Sequence, residues 1–204
     1  IDSEVGRLLK ALEDLKLVDN TYVIYTTDNG PWLQFRHHGG SAGPLREGKG
    51  TTFEGGQRVP CVMRGPGIPA GTVCDELTGT IDILPTIAAL TGKPLPVGKK
   101  IDGMDVSGLW KGTAKKSPRK EFLHYTSRGD LEGIRSGNWK LLVKKPRRNN
   151  AGKAQLLLFD LAKDMGEKNN LAQAKPTVVK ELQARMKALD AEIPENARSP
   201  WFKK

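Results

Sequence analysis

The side chains best suited to chemistry lie between residues 28 and 49 of this sequence. Asp28 and Asn29 come directly after the apolar run Tyr22–Thr27. A carboxylate beside an amide oxygen suits a hard cation such as calcium or magnesium, and the end of a buried strand is where α/β sheets bind ligands. Asp-Asn-Gly-Pro is also ordinary turn chemistry. Two ligands fill only part of a calcium shell, so the pair is read either as a partial cation site or as a turn.

Lys49 is the second candidate, and it stands between two glycines, Gly48 and Gly50. Glycines let the backbone approach an anion closely, and the ammonium supplies positive charge. The alternative is a solvated lysine in a flexible loop. A phosphate-binding P-loop is rejected because Gly50 stands where a hydroxyl is required and no helix is expected after Thr52.

His37 and His38 form the third candidate. Adjacent side chains point different ways, so one histidine at most is expected to hydrogen-bond an anionic substrate, and a plain surface loop is the alternative. No order of Ser, His and Asp in the sequence suggests a hydrolase triad.

The elements that must position these side chains follow from hydrophobic periodicity. The pattern predicts helices over 1–17, 82–90 and 177–193, and strands over 22–27, 59–64, 121–126, 133–143 and 155–161. The strand over 22–27 is apolar throughout, which is typical of a strand buried on both faces of a parallel sheet. We therefore expect an α/β fold in which residues 1–116 belong to a larger sheet, followed by an antiparallel subdomain with a C-terminal helix over 117–204.

Charge is uneven along the 204 residues, whose net charge is +10. Between Lys115 and Lys153 there are 12 basic and 3 acidic residues, which makes +9. Such a run is either a solvated face or a surface for polyanions such as acidic glycans; nucleic acid is not expected. No stretch is apolar and long enough to predict a membrane span. Cys61 and Cys74 either pair or remain buried thiols.

Four stretches together resemble the type I, formylglycine-dependent sulfatase (arylsulfatase) family. They are Val18–Pro31, the long Gly39–Pro60 segment around Lys49-Gly-Thr-Thr, Thr80–Ile87 leading to Asp102-Gly103, and Leu158–Leu171. The resemblance covers about residues 1–175.

The resemblance implies an alkaline-phosphatase-like fold and hydrolysis of aryl or carbohydrate sulfate esters. It implies that Asp28 and Asn29 help bind a catalytic calcium ion and that Lys49 contacts the sulfate. It also suggests that His38 contacts the substrate. The expected partners are a sulfated small molecule or glycan and the remainder of the catalytic domain, and the expected location is the periplasm or outside the cell.

The departure from the family concerns the nucleophile. The family converts a Cys or Ser in the pattern [C/S]-x-[P/A]-x-Arg to formylglycine, and neither Cys61-Val-Met-Arg nor Cys74-Asp-Glu-Leu fits it. We therefore expect the C-terminal part of a sulfatase, inactive alone, whose 1–116 region is completed by another chain, by self-association through 22–27 or by rearrangement. A non-catalytic module that binds polyanions through Lys115–Lys153 is the alternative.

Overall fold

The structure is a computed structural model that describes residues 1–146 and 152–193. Chain contacts divide it into two compact units. The first unit combines Ile1–Thr26 with Pro60–Arg119, and the second combines Thr27–Val59 with the chain from Lys120 onwards. The chain therefore passes between the units at three places, and one of them lies near the boundary predicted at 116. The division into a catalytic part and a C-terminal subdomain stays a prediction.

Helices and strands alternate irregularly along the described residues. The α-helices are α1 Asp2–Asp14, α2 Glu54–Gln57, α3 Ile83–Thr91, α4 Ser107–Trp110 and α5 Pro176–Ala191. The strands are β1 Val23–Thr26, β2 Cys61–Arg64, β3 Glu121–Tyr125, β4 Leu131–Ser136, β5 Trp139–Lys144 and β6 Gln155–Asp160. None of the helices in the described ranges combines the length and apolarity that crossing a membrane requires.

The strands form two antiparallel sheets. In the first unit β1 pairs with β2, with Val23 opposite Arg64. In the second unit the order is β3-β4-β5-β6. No parallel pair occurs among the described strands, and Tyr25 of β1 is 42% exposed, so burial of this strand on both faces is not observed within this chain. The larger parallel sheet stays a prediction.

Two local predictions were wrong. The single strand predicted over 133–143 is the hairpin β4–β5, because Gly137 adopts a positive φ of 55° and lets the chain reverse at 137–138. A short helix, α2, does follow Thr52, although two of its four residues are glycines with poor helix propensity. Contacts with the rest of the second unit, described below, hold it.

The second unit has two apolar clusters: one on the other face of the sheet, made of Phe53, Leu142, Leu157, Phe159 and Leu161, and a larger one between the sheet and α5. Ile134, Leu141 and Leu158 point from one face of the sheet toward three side chains of the helix, Val179, Leu182 and Met186. All of these are buried, as expected for an amphipathic helix on an antiparallel sheet.

The first unit has a smaller core and more exposed apolar surface. Val106, Leu109 and Trp110 form its buried cluster. Helix α1 buries none of its residues, and Leu8 and Leu15 are 67% and 66% exposed. Completion of the 1–116 region by other strands stays a prediction that this exposure favours.

A buried ion pair organises the second half of the first unit. Asp82, 1% exposed, accepts hydrogen bonds from Arg119 and from the backbone N–H groups of Gly79 and Met104. Burial raises the pKa of Asp82, but the hydrogen bonds from Arg119, Met104 and Gly79 outweigh it and hold the pKa below its usual value. Asp82, which lies in one of the stretches that resemble sulfatases, therefore has a structural role here.

The two cysteines do not behave as expected. Cys61 and Cys74 are both free and both exposed. Neither the disulfide nor the pair of buried thiols is found.

Candidate functional site

The four predicted site residues all lie in the segment 27–59 of the second unit. We call Arg46–Phe53 the lysine loop and Trp32–His38 the aromatic loop. The lysine loop contacts the turn that carries Asp28 and Asn29: the N–H of Lys49 donates to the carbonyl of Pro31 at 2.9 Å, and the N–H of Gly30 donates to Gly56 at 3.2 Å. Lys49 and Pro31, 18 positions apart, and Gly30 and Gly56 of α2, 26 positions apart, are thus fixed beside each other through the backbone.

Glycine is required where these backbones meet. A Cβ at Gly30 would lie 1.7 Å from the carbonyl oxygen of Gly55, and one at Gly48 would lie 2.4 Å from that of Pro31. Real Cβ atoms do not approach oxygen so closely. Gly48 therefore permits the close approach of Pro31 to the lysine loop, and Gly30 permits the close approach of the Asp-Asn turn to α2.

The chemistry-bearing side chains are open to solvent. Asp28, His38 and Lys49 are exposed, and Asn29 is half-buried. Thr27 donates its hydroxyl to the carbonyl of Asn29 at 3.0 Å, which tightens the turn. The oxygen ligands of Asp28 and Asn29 and the ammonium group of Lys49 therefore lie in one glycine-rich segment.

The aromatic loop is closed on itself and lies against Lys49. The N–H of Trp32 donates to the carbonyl of Gly39 at 3.1 Å. The rings of Trp32 and Phe35 meet edge to face with centroids 4.6 Å apart, and the Nζ of Lys49 lies 5.1 Å from the centroid of Trp32. Arg36 adopts φ 48° and ψ −120°, a strained conformation of the kind that clusters at functional sites.

A buried charge cluster anchors the lysine loop to the sheet. Lys140 of β5 is fully buried, and its Nζ lies 2.9 Å from Glu54 and 3.0 Å from Glu167. The backbone N–H of Glu54 donates to Glu167 at 2.7 Å, and Arg46 donates to the carbonyl of Glu167 at 2.8 Å. These contacts explain why α2 forms despite its glycines.

A second anchor surrounds Phe53. The guanidinium of Arg46 and the ammonium of Lys144 lie 4.1 Å and 4.6 Å from the centroid of its ring. Lys144 also donates to Thr52 at 2.9 Å and to Glu132 at 2.8 Å. The residues just after Lys49 are therefore held by both cation–π contacts and hydrogen bonds.

Two buried groups near this anchor have shifted pKa values. Burial raises the pKa of Glu167, against the attraction of Lys140. Burial, together with repulsion from Lys140, Arg135 and Lys144, lowers the pKa of His124 to about 3. His124 is 4% exposed, and within the described chain neither ring nitrogen has a hydrogen-bond partner. His124 is therefore neutral at physiological pH.

The donor set fits calcium only in part. Asp28 and Asn29 offer the hard oxygen ligands that calcium prefers, but the ion takes six to eight. Residues 1–146 and 152–193 contain no group of three or more His, Cys, Asp or Glu side chains that could hold a metal ion. The pair fits part of a shell, and the rest must come from elsewhere.

Six of the twelve basic residues between Lys115 and Lys153 form ion pairs within the described chain. Ion pairs involve Lys116, Arg119, Arg135, Lys140, Lys144 and Lys145. Arg147 and Arg148 lie outside the described residues. Side chains paired with carboxylates are less available to an external polyanion, whereas Lys115, Lys120, Arg128 and Lys153 are exposed. A polyanion-binding module built on this run stays an alternative.

Two groups of residues in this region were not predicted. Lys140 was expected in an ordinary half-exposed strand, and its partners Glu54 and Glu167 are 86 and 27 positions away. Trp32 and Phe35 were not singled out. The signal that could have identified them is an aromatic pair in a polar, glycine-rich loop. Such a loop is unlike a core element, so large apolar side chains in it indicate exposed aromatic surface.

Two family descriptions match the chain. One, described as sulfatase, covers residues 1–93, and the other, described as the C-terminal part of N-sulphoglucosamine sulphohydrolase, covers residues 48–192.

Individual proteins of known sequence or structure are also similar to the chain. The chain is 39% identical over 219 residues to arylsulfatase A of Homo sapiens, covering 95% of this chain and 43% of that protein. A sulfatase of Pseudoalteromonas sp. superimposes with a TM-score of 0.77 at 30% identity, covering 93% and 40% of the two chains. A protein solved in complex with its substrate D-glucosamine-2-N,6-O-disulfate gives 0.70 at 25% identity, covering 93% and 38%. The chain thus spans less than half the length of these proteins.

Proposed function

The chain belongs to the sulfatase family, as its C-terminal part, and from that premise we propose that it supplies the sulfate-binding lysine and part of the calcium shell of an enzyme that hydrolyses sulfate esters. The observation that carries the proposal is the hydrogen bond between the Lys49 N–H and the Pro31 carbonyl, at 2.9 Å. It keeps the ammonium-bearing loop beside the Asp28-Asn29 turn, so that one anion can face both.

Each residue has a role in the proposal. Lys49 places positive charge against the sulfate oxygens, whose negative charge must be stabilised as the S–O bond breaks. Asp28 and Asn29 contribute oxygen ligands to calcium, which when bound supplies further positive charge beside the same oxygens. His38, on the neighbouring loop, hydrogen-bonds the group that carries the sulfate.

We do not assign the nucleophile to any of these 204 residues. No Cys or Ser here stands in the formylglycine pattern, so we propose that the formylglycine and the other calcium ligands lie in sequence outside this chain. We further propose aryl or carbohydrate sulfates as substrates, and the periplasm or the outside of the cell as the location.

Two-dimensional amide NMR of the chain tests the binding roles. Sodium sulfate should shift the amide signals of the lysine loop in the wild type, and Lys49→Met should abolish these shifts. Calcium chloride should shift the signals around Asp28, and Asp28→Asn should weaken that response. Lys99→Met, which removes an exposed lysine elsewhere, is the matched control. Sulfate shifts that persist in Lys49→Met would contradict the role of this residue.

An activity assay tests the assignment of the nucleophile. The 204-residue chain with calcium and 4-nitrophenyl sulfate should release no nitrophenol above the blank. Measurable turnover would show that the nucleophile lies within the chain. Sequencing of the parent gene upstream of Ile1 should reveal a Cys or Ser in the formylglycine pattern.

A further inference from the structure

Two aromatic side chains of the second unit are exposed where the other described ones are buried or half-buried. Trp32 and Phe35 are 46% and 53% exposed, whereas Phe53 and Phe159 of the same unit are 7% and 1% exposed. The pair therefore contributes little to the core. Exposed aromatic surface in a loop that also carries polar groups is typical of ligand binding.

The aromatic pair has a fixed position relative to Lys49. The ammonium group lies 5.1 Å from the centroid of the Trp32 ring. A Cβ at Gly48 would lie 3.0 Å from Cγ of Leu33, so the aromatic loop lies against the lysine loop as well as beside its side chain. An anion held by Lys49 is therefore held next to an indole ring that is still half open to solvent.

We propose that Trp32, supported edge-on by Phe35, is the platform on which the sugar ring of a sulfated glycan stacks while its sulfate contacts Lys49. This inference rests on the proposed function and names its substrate class. The apolar C–H face of a pyranose covers the open face of the indole, and its hydroxyls point toward solvent and the exposed Arg36 and His37 of the same loop. Trp32 is thus a specificity-determining residue.

A sugar fits this surface better than an aryl group does. A flat apolar ring is held best in a pocket that covers most of its surface. Trp32 offers one face in an exposed loop with three consecutive basic side chains, Arg36, His37 and His38. That surface suits an amphipathic ring with hydroxyl groups at its rim. The protein solved with its substrate D-glucosamine-2-N,6-O-disulfate, which has a similar fold, takes such a ring.

Saturation-transfer NMR with the 204-residue chain tests the platform. The probes are D-glucosamine 6-sulfate, unsulfated D-glucosamine, methyl sulfate and 4-nitrophenyl sulfate. Trp32→Leu should weaken binding of glucosamine 6-sulfate roughly three- to tenfold, because the stacking contact is lost. Trp32→Leu should leave the binding of methyl sulfate unchanged, since that probe has no ring. Tyr25→Leu removes an aromatic side chain of similar exposure, 42%. This variant should change the binding of neither glucosamine 6-sulfate nor methyl sulfate.

The outcomes separate this inference from the proposed function. If Trp32→Leu binds glucosamine 6-sulfate as tightly as the wild type, the platform is refuted and sulfate binding by Lys49 stands. If only 4-nitrophenyl sulfate is weakened, the platform serves aryl rings and the assignment to a sugar is wrong. If no sulfated probe receives saturation from the chain, both the inference and the proposed function fail.

Discussion

The two faces of the four-stranded sheet are held in different ways. On one face, Ile134, Leu141 and Leu158 meet the apolar side of α5. On the other, Lys140 meets Glu54 and Glu167, and the partner element is a short helix and loop rich in glycine. The first face is secured by apolar burial alone. The second combines a smaller apolar cluster (Phe53, Leu142, Leu157, Phe159 and Leu161) with buried charged groups that form hydrogen bonds.

The difference reflects what each face has to position. Apolar burial is non-directional, so it fixes a helix against a sheet but tolerates small shifts and rotations. Hydrogen bonds and ion pairs have definite distances and directions. A loop that presents Lys49 beside the Asp28-Asn29 turn needs that definition, although buried charges are a weak source of net stability.

Lys140→Met should have the largest effect. It leaves Glu167 buried without its cation and leaves Glu54 with only Arg135, 3.6 Å away. Breaking one side of a buried ion pair costs roughly 3 to 5 kcal/mol. The decrease in the free energy of unfolding should be greater at pH 8 than at pH 5. Burial already raises the pKa of Glu167, and losing Lys140 raises it further, so stability is retained at low pH and lost as the pH rises toward the folded-state pKa.

Urea denaturation at pH 5 and pH 8 measures this effect. Lys145→Met is the matched control, because Lys145 is exposed and its Nζ lies 3.6 Å from Asp130. A loss for Lys140→Met that is equal at the two pH values would show that the cluster does not act through charge.

Leu141→Ala tests the opposite face of the same strand. Removing a fully buried leucine should cost roughly 2 to 5 kcal/mol through lost burial and a cavity. Because no charge changes, the loss should be the same at pH 5 and pH 8. The amide signals of the lysine loop should keep their positions, and large shifts there would show that the two faces are coupled.

Gly30→Ala should damage the loop face without touching the sheet. Its Cβ would overlap the carbonyl oxygen of Gly55, and such overpacking costs roughly 1 to 3 kcal/mol. The sulfate-dependent shifts of the lysine loop should weaken as well, because the Asp28-Asn29 turn is displaced. Gly6→Ala in α1 is the control, since nothing lies within 4 Å of its Cβ position. An unchanged sulfate response would contradict the proposed coupling of turn and loop.

His124 should make stability depend on pH. Its folded-state pKa of about 3 is below the ordinary value of 6.5, so the unfolded chain binds a proton that the folded chain excludes. The contribution of the neutral His124 ring to the free energy of unfolding is present in full well above pH 6.5. Below pH 6.5 this contribution falls as the pH falls, and the decrease between pH 8 and pH 5.5 is about 1.4 kcal/mol.

His124→Leu should remove this component of the pH dependence, and the comparison with the wild type is made by urea denaturation at both pH values. His37→Gln, which removes an exposed histidine, should leave it in place. If the wild type and His124→Leu have parallel pH profiles, His124 is not the group responsible.

The elements of the fold were predictable where a local pattern decides them. Helix α5 and strand β6 follow from periodicity, with ends within two residues of the expected ones. The hairpin at Gly137 was missed because Leu131–Lys144 is rich in β-forming residues on both sides of the turn. Helix α2 was missed because its cause is tertiary: the N–H of Glu54 is satisfied by Glu167, far away in sequence.

The site was predictable in part. Asp28, Asn29, His38 and Lys49 came from a family resemblance together with residue types, and all four lie in one segment of the structure. The anchor under them was not predictable, because a lysine in a strand looks like a solvent-facing residue until its carboxylates are known. Trp32 was overlooked because its exposure depends on how the aromatic loop closes.

The long sequence separations in the anchor also have a kinetic meaning. Glu54 meets Lys140 across 86 residues and Glu167 across 113, and Arg46 meets Glu167 across 121. Closing loops of this length costs entropy before any contact is gained, so contacts of high sequence separation form slowly. During synthesis the lysine loop leaves the ribosome long before Glu167 exists. The loop therefore remains without its anchor until then, and the segment that carries Lys49 is expected to be among the last parts of the molecule to assemble.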